Sequence, residues 1–311
     1  MELISVIIPV YNGEKTIKGT IESVLQQTYA HFELIVINSD SSDGTFEIVS
    51  SIQDQRIKIY NYPKANAAVN RNRGLIYAKG EFVSFIDADD IWTADKLEAQ
   101  YTVLRENPQS GLAYSWTDVI DELDKFVRPC SYATWQGDVY TKLLLKDFIA
   151  SGSNVMIRKN ILAKVGGFNE SLTNAQDSDM WQRLAAITDF VCVPKVQILY
   201  RIIPNSMSSN VLGMEAAKLQ IIESGFSSQK AKSLEHLKKY ALSNLYQYLT
   251  FKSLEAPPDK IERWTSIRFL WNWVRYNPAV LKQRQTMLIA VFKIAFPRLY
   301  YSFKKFWKAN N

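Results

Sequence analysis

The sequence predicts an α/β layered fold with a mainly parallel central sheet, followed by an α-helical C-terminal region. Three observations carry that prediction. Apolar, β-branched runs alternate with helix-periodic segments through the first hundred or so residues, the order that builds a parallel sheet covered by helices. Polar clusters, "NSDSSDGT" and "FIDADDIW", close the second and fourth runs, at the carboxyl edge where such sheets bind ligands. After Asn210 strand patterns fade and helical periodicity continues to the end.

Taken in order, "LISVIIPV" is a strand buried on both faces, and Ile17, Ile21, Val24 and Leu25 line one face of a helix. "FELIVI" is the second strand, with a helix over Gly44 to Ile52. "RIKIYNY" is the third, and a helix from Ala67 to Ala78 leads into "EFVSFI". Thr93 is placed as N-cap of a helix carrying Leu97, Tyr101 and Leu104. Further strands are expected at "GLAYSW", "NVMIR" and "VQILYRI". The predicted division is residues 1–210 as the α/β domain and 211–311 as a helical region, cut by Pro257, Pro258 and Pro278.

Composition narrows the class. A hydrophobic share of 47% against 22% charged excludes a disordered chain. Cys130 and Cys192 form neither a disulfide framework nor a metal pattern, which fits a reducing, cytoplasmic setting. "MELISVIIPVYN" has no basic leader and reads as a strand rather than a signal peptide. "MLIAVFKIAF" is interrupted by Lys293 and falls far short of the roughly 20 residues of a spanning helix. The net charge is +6, and residues 260–311 hold eleven Lys or Arg against one Glu, interleaved with aromatics. That mixture suits a membrane interface on the inner face of the cytoplasmic membrane, or packing against protein. No nucleic-acid recognition module accompanies it.

Four clusters carry candidate chemistry, each with a plainer alternative. Asp87-Ala88-Asp89 offers hard oxygen ligands for Mg²⁺ or Mn²⁺ shared with phosphates, or is a polar turn in which Asp90 caps the next helix. "NSDSSDGT" is an anion- or nucleotide-binding loop, or a strand-to-helix turn capped by Asp43. Arg71 and Arg73 pair with phosphate, or face solvent. Asp177 and Asp179 begin a helix, where one could serve as general base or both could answer the helix dipole. His31 and His236 have no partners at zinc-ligand spacing, and no GxxxxGK[ST] or GxGxxG pattern is present.

In order, "SVIIPVYNGEKTI", "VLQQTYAHFELIVINSDSSDGT", "RNRGLIYAKGEFVSFIDADD", "SNVMIRKNILAKVGGFNESL", "QDSDMWQRL" and "LYR" resemble the family 2 glycosyltransferases of GT-A fold and inverting type, over residues 1–210. The resemblance implies an enzyme that moves a sugar from a nucleoside diphosphate donor, a UDP-sugar being favoured, to a hydroxyl of a glycan or lipid-linked acceptor in polysaccharide or cell-surface glycan synthesis. The cofactor it implies is Mn²⁺ or Mg²⁺. It places Pro9, Tyr11, Asn12, Glu14, Ser39, Asp40, Arg71, Asp87, Ala88 and Asp89 at the nucleotide sugar, Asp89 with Asp87 at the metal, and Asp177 as catalytic base. Trp181 and Arg183 would steady the helix of that base.

Three departures from the family pattern stand out. Asn38-Ser39 stands where an Asp-Asp pair is usual and puts the identity of the nucleobase in question. Gln176 replaces a frequent Glu, and Ile203 a frequent metal-approaching His. The rival readings are a sugar nucleotidyltransferase, for which "PVYNGEKTI" is a poor phosphate loop, and a binding or scaffold protein without catalysis.

Overall fold

The computed structural model of the chain describes residues 1–203, 209–255, 259 and 261–300. The chain divides into two compact units, Met1–Leu143 with Asp147–Ile203, and 144–146 with the described residues from 209 onwards.

In the first unit the strands are β1 (Ile4–Val10), β2 (Phe32–Asn38), β3 (Ile57–Asn61), β4 (Phe82–Phe85), β5 (Ile91–Trp92), β6 (Ser110–Ile120), β7 (Phe126–Ser131), β8 (Met156–Arg158) and β9 (Asp189–Arg201). Between them run α1 (Ile17–Leu25), α2 (Thr45–Ser51), α3 (Ala67–Tyr77), α4 (Lys96–Glu106), α5 (Tyr140–Leu145, whose last two residues belong to the second unit), α6 (Lys159–Val165) and α7 (Gln176–Ala185). The sheet order is β3-β2-β1-β4-β8-β6-β9-β5, with β7 also on β6. The four strands from β3 to β4 are parallel, whereas β8 is antiparallel to both β4 and β6, so the sheet as a whole is mixed. β1 and β2 are buried along their whole length, as strands covered on both faces must be.

The chain steps outward from β1 to β3 and then returns to place β4 on the other side of β1. The carboxyl ends of β1 and β4 therefore flank a topological switch point, where loops diverge and leave a crevice. Pro9 fits this end of β1. Pairing with β4 stops at Ile7, so the missing N–H of Pro9 leaves no β4 partner unmet. Gly74 lets α3 lie against β1, since a Cβ there would come within 2.4 Å of Ile7 Cγ2.

One expected boundary is corrected. Thr93 does not cap α4; the helix starts at Lys96, with Asp95 at the capping position. The Thr93 hydroxyl donates instead to Asp95 Oδ1 at 2.8 Å, while Lys195 Nζ reaches Asp95 Oδ2 at 2.8 Å.

The second unit contains α8 (Val211–Phe226), α9 (Lys238–Ser253), α10 (Arg263–Tyr276) and α11 (Arg284–Ala295). Arg268 grips the buried Glu215 with two bonds of 2.8 and 2.6 Å, and Tyr246 Oη donates to the same carboxylate at 3.0 Å. Among the described residues no helix is long and apolar enough to cross a membrane.

Candidate active site

The acidic loop after β4 is held from three directions. Arg71, on α3 and almost wholly buried, donates through Nη2 to Asp87 Oδ1 at 2.5 Å. The Asp87 amide donates to Ser153 Oγ at 2.9 Å, and that hydroxyl donates in turn to Asp90 Oδ2. From β9, the Arg201 amide donates to Asp90 Oδ1 at 3.0 Å and its Nε to the Asp89 carbonyl at 2.8 Å. Ala88 turns its side chain towards the apolar core and its carbonyl to Thr20 Oγ1 at 3.0 Å.

The three carboxylates are therefore not equivalent. Asp90 is wholly buried and does not cap α4, which corrects one reading of the sequence. Burial, followed by the charges of Asp89 and Asp87, pushes its carboxyl well above the usual range. Asp87 is neutralised in part by Arg71. Asp89 is pushed up to about 6 by burial and then by the charge of Asp87, with Arg201 only partly opposing the shift. Negative charge crowded this closely is the condition a bound cation relieves.

The loops after β1 and β2 are laced together. Asn12, at φ +52°, donates its amide to Ser41 Oγ at 2.9 Å and accepts from the Ser42 amide at 2.9 Å. Glu14 Oε2 accepts from the Gly44 amide at 2.9 Å, and the Glu14 amide donates to Asp43 Oδ2 at 3.1 Å. Asn12 and Glu14 thus shape the crevice wall. Tyr11 is partly exposed, with Lys64 Nζ 2.8 Å from its hydroxyl and 4.0 Å from its ring centroid.

Ser39 departs from its expected place at the nucleobase. It is fully buried, its hydroxyl accepts from the Ala65 amide at 2.9 Å, and it ties the end of β2 to the loop before α3. The groups turned to the opening are its neighbours. A cavity of about 340 Å³ is lined by Asn38, Asp40, Asn61, Tyr62 and Phe46 among others. Asp40 reaches it at φ +57°, a left-handed conformation that Asp tolerates better than most residues. Asn38 Nδ2 donates to Asn61 Oδ1 at 2.9 Å, while Asn38 Oδ1 has no hydrogen-bond partner among the described residues.

Asp177 opens α7, partly exposed, with Oδ1 accepting from the Ser178 amide at 2.8 Å. Its neighbour Asp179 is instead paired with Arg183 at 2.7 Å, and Arg183 also donates to the carbonyls of Val165 and Gly167. Trp181 is completely buried beneath the helix. The helix begins from Ala175 at φ +55°, a conformation strained for a residue with a Cβ. Ser178 Oγ donates to Asp147 Oδ2, while a few residues further on Ser151 and Ser153 bond Asp90. One segment, 147–153, therefore ties the start of α7 to the acidic loop.

Sequence reasoning passed over that segment, together with Arg201 as a clamp. The available signal was "ASGSN", a run of small polar residues between strand patterns that buries completely from Ser151 to Asn154. At Gly152 an added Cβ would lie 2.9 Å from Arg71 Nη2. Arg71 itself is placed behind Asp87 rather than open to a phosphate. The Ile203 side chain brings no metal-ligating atom. Among the described residues no group of three or more His, Cys, Asp or Glu side chains is arranged to hold a metal. Hard carboxylate oxygens are present at Asp87 and Asp89, and a cation there would need substrate phosphates or water to complete its shell. The residues fit a shared site of that kind.

Comparison with known proteins makes the chain a glycosyltransferase. Residues 5–253 match the family described as glycosyltransferase like family 2, and the chain belongs to it. The chain is 34% identical over 237 residues to the UDP-Glc:alpha-D-GlcNAc-diphosphoundecaprenol beta-1,3-glucosyltransferase WfgD of Escherichia coli, covering 75% of this chain and 83% of that protein. It is 33% identical to the putative teichuronic acid biosynthesis glycosyltransferase TuaG of Bacillus subtilis, covering 67% of this chain and 82% of the relative. In structure it resembles residues 1-349 of S. aureus TarS in complex with UDP-GlcNAc (TM-score 0.60, 18% identity, 91% of this chain and 92% of that chain covered). It also resembles the mannosyltransferase PcManGT from Pyrobaculum calidifontis in complex with GDP-Man and Mn²⁺ (TM-score 0.58, 17% identity, 95% and 87% covered). The architecture is the GT-A fold of these enzymes.

Proposed function

We propose that this glycosyltransferase transfers a sugar, with inversion, from a nucleoside diphosphate donor to a hydroxyl of a lipid-linked or polysaccharide acceptor. The work would take place at the inner face of the cytoplasmic membrane. The observation that carries the reading is Asp89, a carboxylate pushed up to about 6 at the switch point of the sheet, beside a second carboxylate already paired with Arg71. Support for the donor comes from the nucleotide complexes of the structural neighbours, and for the acceptor from the printed activity of WfgD.

Asp89, with Asp87 beside it, would hold Mn²⁺ or Mg²⁺. When bound, the cation supplies positive charge that stabilises the departing diphosphate. Asp87, kept in place by Arg71 and Ser153, would orient the donor. The Asn38–Asn61 pair and Asp40 line the cavity in which the nucleoside would sit, and Tyr11 would approach it from the loop after β1. Asp177 would take the proton of the attacking hydroxyl on the face opposite the diphosphate, and Arg183 holds the competing Asp179 away from that role.

Calorimetry with UDP, GDP and dTDP, each with and without Mn²⁺, tests the reading. Binding of one nucleotide, strengthened by the cation and lost in Asp89→Ala, is the expected result. Failure of all three to bind, with or without the cation, would overturn it.

A further inference from the structure

α10 carries apolar residues on two faces. Phe269 and Trp273 point inward and meet Tyr246 and Phe251 of α9 at ring-centroid distances of 6.1 and 6.0 Å. Trp264, Ile267 and Trp271 recur at the i, i+3, i+7 spacing of a second stripe. That stripe is open: Trp264 is 83% and Trp271 66% exposed. α11 repeats the arrangement. Ala290 and Ile294 are buried, while Leu288, Val291 and Phe292 are exposed. Isolated exposed apolar residues need no explanation, but two helices with second apolar faces in one small unit do.

The charges around these faces indicate what covers them. Between residues 261 and 300 there are seven Lys or Arg and a single acidic residue, Glu262. Arg268 is committed to Glu215. Arg263, Arg275, Lys282, Arg284 and Arg298 are exposed. A symmetric contact with a second copy would bring a region rich in exposed bases and poor in acids against itself, which like-charge repulsion opposes. An anionic lipid surface offers the complement: headgroup charge for the bases, and an interfacial layer where Trp rings are favoured.

We infer that the exposed stripe of α10, with the outer face of α11, is a docking surface for an anionic lipid bilayer. It deepens the proposed location at the membrane without resting on the chemistry of the active site. The helices lie on the bilayer and the bases engage headgroups.

The test is flotation of the full chain with vesicles of phosphatidylcholine alone and of phosphatidylcholine with one-third phosphatidylglycerol. The expected result is recovery with the anionic vesicles, weakened by salt, and little with the neutral ones. Trp264→Glu with Trp271→Glu should lower the bound fraction at least tenfold, while far-UV circular dichroism stays as in the wild type. Trp264→Ala alone, a milder change at an exposed site, should lower it severalfold. Wild-type protein left at the bottom of the gradient would overturn the inference. So would a doubly substituted protein that floats normally, or a wild-type dimer that the substitutions convert to monomer. Any of these results would leave the nucleotide-binding experiment untouched.

Discussion

Arg71 and Asp87 form an ion pair of 2.5 Å in which the arginine is buried and the carboxylate faces the crevice. The sequence suggests a basic residue for phosphate, but the fold places it one step back, as the support of an acidic residue. Arg71→Met should leave Asp87 partly buried without its counter-charge, lowering stability by about 1–3 kcal/mol in urea titrations. Nucleotide affinity should fall with it, by roughly tenfold for a misplaced donor contact worth about 1.4 kcal/mol. Arg71→Lys should recover stability better than affinity, because an ammonium cannot reproduce the guanidinium geometry.

Asp89 should make metal binding depend on pH. Its folded pKa of about 6 lies above the ordinary 3.8, so the folded state binds the proton more tightly than the unfolded state. Without a cation, this group's contribution to stability therefore falls as pH rises from about 4 to about 6. A bound cation reverses the penalty. Mn²⁺ with UDP should raise the melting temperature clearly at pH 7.5 and little at pH 5, and Asp89→Asn should remove the difference.

Asp177→Asn should keep nucleotide affinity within about twofold while sugar transfer to a membrane lipid extract falls at least about a hundredfold, the usual scale for a general base. Equal loss in Asp179→Asn would point away from Asp177, since Asp179 is tied to Arg183.

Ser39 and Asn61 should separate stability from selectivity. Ser39→Ala removes the partner of the half-buried Ala65 amide, at about 0.5–1.5 kcal/mol, and should leave the ratio of UDP to GDP affinity unchanged. Asn61→Ala removes the partner of Asn38 at the cavity and should change that ratio with little loss of stability. Calorimetry and thermal unfolding on both variants measure the two effects.

Glu33 provides a pH test away from the site. Burial raises its pKa, but hydrogen bonds from Lys58, the Lys79 amide and Ser5 outweigh burial and lower it below the ordinary 4.5. Its stabilising contribution is therefore present above about pH 4.5 and is lost as pH falls through the folded pKa. Glu33→Gln should flatten the acid side of the stability curve measured by urea unfolding between pH 3 and 6.

The parallel half of the fold was legible because β1, β2 and β4 are apolar runs with no competing helical period. The site loops were legible as clusters, since Asp87 to Asp90 and Asn38 to Gly44 follow those runs directly. What was not legible is how individual side chains are used. Ser39 and Asp40 are adjacent, yet a single left-handed residue sends one inward and leaves the other at the opening. Asp90 and Asp89 look interchangeable in one dimension, and they are distinguished by Ser151, Ser153 and Arg201, far along the chain. The mixed strand order beyond β4 was hidden for the same reason, since β8 is only three residues long.

The bond from the Arg201 amide to Asp90 spans 111 positions of sequence. During synthesis the acidic loop emerges early, but its last clamp leaves the ribosome only when β9 does. Contacts of such long range form late and slow the search for the native state. A chain ending before β9 would carry every one of these carboxylates and still lack the Arg201 bonds that fix Asp89 and Asp90.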